Sequence, residues 1–220
     1  MRANILKLAA CLFAACPLSG MAQKWNFGVE AGYVNSTLAV EEYGSSARSG
    51  FKVGLDAEYT LGNHISFESG LAYIRKGAIT SGNNMLGTGI SSIKFAEMDY
   101  LQIPVMAGYK FELGNHFSIK PEVGGYFAVG VNGDSFVTGM DAFNQPYEAR
   151  VRTFSNTDSK NGVAPFRPCN RADGGLAFAL SLNYRHFALK AEYDLGLATA
   201  TYYGNGKQRS LSVSLAYWLF

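Results

Sequence analysis

The sequence predicts an all-β chain, an eight-stranded antiparallel up-and-down transmembrane β-barrel, and three observations carry that prediction. Eight stretches alternate apolar residues with small, polar or charged ones at a period of two, the repeat of a strand whose successive side chains point to opposite faces. The connections between them alternate between a few residues and long segments holding most of the remaining Gly, Ser, Asn and Pro. Beyond the N-terminus no segment supplies the roughly 20 uninterrupted apolar residues of a spanning helix, so any membrane crossing falls to strands.

The N-terminus sets the compartment. Arg2 and Lys7 precede the apolar run Leu8 to Ala15, and Gly20-Met21-Ala22 follows, which reads as a secretory signal peptide over residues 1–22. Residues 23–220 are then the barrel domain. Leu8-Ala9-Ala10-Cys11 has the look of a lipoprotein cleavage box, but a cut there leaves almost no hydrophobic segment, so lipidation is not expected. Of the three cysteines, Cys11 and Cys16 leave with the signal. Cys169 alone permits neither an intrachain disulfide nor a cysteine metal site. Nineteen basic against seventeen acidic residues, with no basic stripe, argue against a nucleic-acid partner.

The strands follow in order, each defined by its apolar face. Trp25 to Tyr33 is the first, and Phe51 to Leu61, where every odd position is apolar, is the clearest. Ile65 to Tyr73 is broken by Ser69, and Leu101 to Phe111 follows. Phe117 to Val129, Leu176 to Tyr184, Phe187 to Leu195 and Leu211 to Leu219 complete the set. Each has the length of a tilted strand crossing a bilayer. The second and third, fourth and fifth, and sixth and seventh strands are joined by short turns. Residues 35–49, 76–98, 130–173 and 198–207 are expected as long loops. Short turns on one rim and long loops on the other match an outer-membrane barrel, with turns and both termini periplasmic. Pro104 and Pro121 interrupt ladder hydrogen bonding in the fourth and fifth strands, so bulges are expected there.

The second face decides which side points inward. It is rich in small residues such as Gly28, Gly54, Gly108, Gly124, Ala177 and Ala188, which suit a narrow interior better than a solvated surface. The same parity places Glu30, Lys52, Asp56, Glu58, Glu68, Lys110, Lys120, Glu122, Lys190, Glu192 and Asp194 in the lumen. Buried charges persist when paired, so a salt-bridge network is expected, with Glu58, Glu68, Lys110 and Lys120 near the periplasmic floor. On the apolar face, Trp25, Tyr33, Tyr59, Tyr73, Tyr109, Phe111, Phe117, Tyr184, Phe187, Tyr193 and Tyr217 gather near strand ends as membrane-interface girdles. Eight strands leave room only for side chains, which argues against a general porin.

No constellation points to catalysis. His64, His116 and His186 occupy equivalent places in three short turns, around a rim rather than at one site. Glu192 and Asp194 read as ion-pair partners rather than an acid/base pair. Gly82-Asn83-Asn84 and Gly87-Thr88-Gly89 lack the spacing of a phosphate loop and read as loop tips. The mixed charges of residues 130–173 suit a roughly neutral surface loop or a binding surface.

Tyr100-Leu101-Gln102-Ile103-Pro104-Val105 and Pro121-Glu122-Val123-Gly124-Gly125-Tyr126, with the closing aromatic strand, resemble the PorT-like outer-membrane β-barrel family. The resemblance implies a barrel in a Gram-negative outer membrane. It also implies, as an alternative role, an accessory subunit of a protein export or gliding apparatus. One departure stands out: Tyr217 and Leu219 are in phase with the apolar face, whereas Trp218 and the terminal Phe220 are not. The expected function is that of an integral, non-enzymatic outer-membrane barrel with a side-chain-filled lumen and no cofactor, acting as an envelope component or through its loops. A narrow transport channel is a further alternative. Expected partners are outer-membrane lipid and lipopolysaccharide, the barrel assembly machinery, and a protein bound through loop 130–173.

Overall fold

The computed structural model describes residues 24–40, 44–85, 90–114, 116–140, 145–155, 169–201 and 205–219. The expected signal peptide lies outside them. The described elements are strands β1 (Lys24–Ala39), β2 (Gly44–Leu61), β3 (Ile65–Met85), β4 (Ile90–Tyr109), β5 (Phe111–Glu112), β6 (Phe117–Asn132), β7 (Asp134–Met140), β8 (Pro146–Arg152), β9 (Ala172–Tyr184), β10 (Phe187–Thr199) and β11 (Lys207–Trp218). Eight of them, β1 to β4, β6 and β9 to β11, form a closed antiparallel barrel. The ring closes twice over: β11 pairs with β1 from Gly28↔Trp218 to Ala39↔Lys207, and β4 pairs with β6.

Parity separates the two faces. On β2, Val53 and Leu55 are 45% and 63% exposed, while Lys52 and Asp56 on either side of them are 1% and 6%. Along the apolar band every strand of the ring repeats this inversion, with apolar side chains outside; the inner face holds small, polar and charged residues and, toward the loop end, buried apolar ones. Closure at such a small radius brings backbones together: a Cβ on Gly124 would lie 2.0 Å from the Val105 carbonyl oxygen. All eleven aromatic residues assigned to the interface girdles sit on the outer face, though Tyr59 and Tyr73 are only half-exposed.

The short turns are tight. Arg185 takes a left-handed φ of 53° in the two-residue β9–β10 loop, and Gly62 a φ of 65° in the β2–β3 turn. The fourth strand is not continuous to Phe111. It ends at Tyr109, but the register is kept: the Lys110 N–H donates to the His64 carbonyl one step beyond Ile65↔Tyr109, and Phe111 resumes as β5 against Ile119.

Three expectations are corrected. The segments 35–49 and 76–98 are mostly strand, since β1 to β4 run past the apolar band as two projecting hairpins, and Gly82, Asn83 and Asn84 belong to β3 rather than to a loop tip. The segment 130–173 contains the hairpin β7–β8, which pairs β7 with the upper part of β4. The register slips between Lys76 and Ala78 and between Asp99 and Tyr100 explain why alternation lost the strands there, because one inserted residue exchanges the two faces. Finally, neither proline makes a bulge. The β3–β4 pairing pauses between Ser69↔Val105 and Ala72↔Gln102 with equal residue counts on both strands, and the Ser69 hydroxyl donates to the Pro104 carbonyl at 2.8 Å. Pro121 pairs with Leu180 on β9, and the pairing with β4 and β5 keeps one register on either side of it, from Gly108↔Glu122 to Phe111↔Ile119.

Candidate functional site: the barrel lumen

The lumen is filled in three layers. At the short-turn end, β11 places Trp218 inward, 9% exposed, beside Ala188 and Ala216. Gly28 on the paired strand makes space for it: a Cβ there would lie 2.9 Å from the indole ring. The phase departure of Trp218 thus has a structural outcome, an aromatic floor with the Lys120 ammonium 5.7 Å from the ring centroid.

Above the floor lies a continuous ionic lattice. Lys120 on β6 contacts Glu58, and reaches Glu68 at 2.6 Å and Glu122 at 3.1 Å. Lys190 on β10 shares Glu68 at 2.6 Å and touches Glu192 at 3.4 Å. Lys52 on β2 then joins Glu192 at 3.1 Å to Glu30 at 2.8 Å. Glu68 and Glu192 each bridge lysines from different strands, so the lattice ties opposite walls together. Ser181 donates to Glu122 at 2.8 Å and Ser214 to Glu30 at 3.0 Å, filling acceptor positions the lysines leave.

Three charged residues assigned to this network form no ion pair within the lattice. Asp56 is buried in the lumen among Glu30, Glu68, Lys190 and Lys52, but among the described residues no cation reaches ion-pair distance of it. Lys110, between β4 and β5, stands at the short-turn mouth beside Glu58, Lys120 and Trp218, and lines a mouth cavity of about 490 Å³ with Glu112, His116, Ser118, Asn183 and Arg185. It makes no ion pair among the described residues. Asp194 belongs to a second cluster nearer the loop end, where Lys76 Nζ lies 3.5 Å from it and 4.0 Å from Asp173. Gln102 and Ser210 donate to the same Asp194 oxygen at 3.2 and 3.0 Å, and the Tyr126 hydroxyl donates to Asp173 at 3.1 Å. Lys76 also faces the Tyr126 ring at 4.9 Å. Lys76 and Asp173 lay outside the strands drawn from the alternation; extending parity past Tyr73 and before Leu176 would have found them.

The third layer is apolar. Val34, Leu38, Ile74, Phe95, Met98, Tyr100 and Phe154 are buried together at the loop end. Phe154, just after β8, lies edge-on to Tyr100 with centroids 5.2 Å apart, over Gly130, whose absent Cβ would sit 2.6 Å from its ring. Cys169 is fully buried in this layer, its sulfur 3.8 Å from that of Met98. The inward face is therefore not only small and charged. Tyr100 and Met106 share the parity of Gln102, and Tyr126 that of Glu122, so the signal was present on strands whose small residues dominated it.

The histidines occupy separate turns. His64 stacks on Tyr109 at 5.3 Å, His186 lies with Nδ1 3.1 Å from the Trp218 carbonyl, and the exposed His116 accepts the Arg185 N–H through its own carbonyl.

A family model described as an outer membrane protein beta-barrel domain matches residues 21–202. The chain belongs to that family. This outer-membrane barrel is an integral protein of the bacterial outer membrane, with its apolar wall facing lipid. Among solved structures, it is similar to the attachment invasion locus protein Ail of Yersinia pestis, at 16% identity over 89% of this chain and 99% of that one, with a TM-score of 0.42. Neisserial surface protein A aligns at 15% identity over 87% and 96%, with a TM-score of 0.44. OprG from Pseudomonas aeruginosa aligns at 13% over 90% and 98%, with a TM-score of 0.49. No curated protein sequence matches the chain.

Proposed function

We propose that the outer-membrane barrel is a closed, non-enzymatic envelope scaffold that acts through its outer wall and loop-end hairpins. Its short turns and both termini face the periplasm, and the loop end faces the exterior. The observation that carries this reading is the threefold filling of the lumen, by Trp218, by the lysine–carboxylate lattice and by the Tyr100–Phe154 layer. A narrow barrel crossed by ion pairs and closed by aromatic side chains offers no continuous aqueous path through its lumen. Lipid and lipopolysaccharide are the partners of the wall, the β7–β8 hairpin is the surface for a protein partner, and the barrel assembly machinery inserts the chain. The finer PorT-like assignment belongs to the same proposal and rests on the segments Tyr100 to Val105 and Pro121 to Tyr126.

Reconstitution into planar bilayers tests the closed lumen. The expected result is the absence of steady conductance; steady conductance of porin size overturns the scaffold reading. Orientation is tested separately with Glu148→Cys and Asn63→Cys. A membrane-impermeant maleimide should label the first in intact cells and the second only after permeabilisation.

A further inference from the structure

The short-turn mouth of the lumen gathers cations around a space rather than around carboxylates. Lys110, Asn183 and Arg185 line both the mouth cavity of about 490 Å³ and a smaller cleft of about 60 Å³ that Asn26, Glu58, Lys120 and Trp218 complete. Three cations therefore border one small cleft.

The register of the strands builds this convergence. Phe111 pairs with Ile119 and Glu112 with Ser118, so Lys110 falls opposite Lys120, and like charges in opposed positions repel. Ser118 pairs on its other side with Asn183, and the Arg185 N–H donates to the His116 carbonyl at 3.1 Å, which holds the β9–β10 turn against the cavity. The carboxylates at hand are engaged elsewhere. Glu58 gives one oxygen to Lys120, and its other accepts from Asn26 at 3.4 Å and Thr60 at 3.5 Å. Glu112 stands exposed on the rim, and among the described residues it makes no ion pair with Lys110 or Arg185; Asn115 and Phe220 lie outside those residues. Arg185 does lie 5.6 Å from the Tyr184 ring centroid, a contact that leaves its charge in place.

The chemistry of the cleft selects its ligand. A carboxylate meets a planar pair of donors on the Arg185 guanidinium, a point charge on Lys110 and an amide N–H on Asn183. Glu58 and Glu112 nearby oppose a phosphate dianion more strongly than a monoanion. At about 60 Å³ the cleft takes only the head of a ligand, and the outer cavity, of the size of a small-molecule site, takes the rest. There the Glu112 carboxylate and the Ser118 hydroxyl are acceptors for amide or amino N–H groups.

We infer that the short-turn mouth is a binding site for the C-terminal carboxylate of a short peptide. The orientation proposed above makes that peptide a periplasmic one, and only its compartment rests on that reading.

The test is equilibrium dialysis of radiolabelled trialanine against the detergent-solubilised full chain. Trp218 borders the cleft and Trp25 is the only other tryptophan, so emission in a W25F background reports where the peptide sits. The parent should bind saturably with a shift in that emission. Trialanine amide should bind about tenfold more weakly, as should trialanine to K110Q or R185N, each change removing a charge-assisted hydrogen bond. Asn suits the left-handed φ of 53° at position 185. K110Q/R185N should show no saturable binding; if it lacks the heat-modifiable mobility of a folded barrel, the single variants decide. Absence of binding by the parent, equal binding of the amide, parent-like binding by the variants, saturation without the emission shift, or displacement by equimolar acetate or inorganic phosphate each overturns the site. Both ends of the barrel are open to solvent in detergent, so this result is independent of the maleimide labelling that tests orientation.

Discussion

The two ends of the lumen solve the same problem with opposite chemistry. Near the short turns, Lys120, Lys190 and Lys52 are threaded through Glu58, Glu68, Glu122, Glu192 and Glu30, and the walls are joined by charge. Near the loops, Tyr100, Phe154, Phe95 and Met98 join them by apolar packing. The difference follows from what covers each end. The ionic layer is ringed by strands whose outer faces meet lipid, so each group inside must find its partner across the lumen. The apolar layer sits where β1 to β4 and the β7–β8 hairpin project beyond the band, and a core there forms as it does in a water-soluble protein. Paired charges specify which wall meets which, whereas apolar contacts fill space and tolerate adjustment.

The largest effect should come from breaking the lattice at its shared node. Glu68→Ala takes the shared carboxylate from both Lys120 and Lys190 in the interior and is expected to cost about 3–5 kcal/mol, read from urea unfolding of the folded barrel in detergent. Replacing a whole pair, Lys52→Met with Glu30→Leu, should cost much less, because Glu192 keeps Lys190 and no charge is left without a partner; a loss equal to that of Glu68→Ala would refute the contrast. At the other end, Phe154→Ala should cost about 3 kcal/mol through the cavity it leaves beneath Tyr100. The same variant exposes Cys169. Burial first, and the Asp173 carboxylate second, hold that thiol well above its ordinary pKa, so maleimide should not react with the folded parent but should label Phe154→Ala at a measurable rate.

Smaller effects locate the boundary between the two chemistries. Gly28→Ala pushes a methyl group against the Trp218 ring and should cost about 1–3 kcal/mol, with a shift in tryptophan fluorescence that an unmoved floor would not give. Arg150→Ala removes an exposed pair with Asp134 and should have the smallest effect of these variants, one that vanishes in high salt. The Glu68→Ala penalty should persist in the same salt, because buried pairs are screened far less.

How much of this was legible differs from residue to residue. The inward placement of Lys52, Glu68, Lys120, Lys190 and Glu192 follows from parity alone, since each sits in an unbroken run of alternation. Lys110 keeps its inward parity, since the pairing with β6 runs in one register from Gly108↔Glu122 to Phe111↔Ile119, but it stands at the mouth without an ion pair among the described residues. Asp56 has the right parity and lies near Lys52 and Lys190, whose ammonium groups are held by Glu30, Glu192 and Glu68. Lys76 and Asp173 were missed because their strands continue after the apolar outer face that marked them has ended. Phe154 carries no periodic signal at all, because it follows β8 in a turn and reaches the lumen only through the hairpin's packing.

By itself the sequence determined the eight-stranded ring, the faces of its strands and the short-turn rim. These are local properties: a two-residue period and a tight turn are each written within a dozen neighbouring residues. Only the tertiary structure decided which lysine meets which carboxylate, that Trp218 closes the floor and that Phe154 closes the top. Those outcomes depend on the stagger of strands around a closed ring, and stagger is a property of the whole circuit from β1 through β11 that no single strand contains.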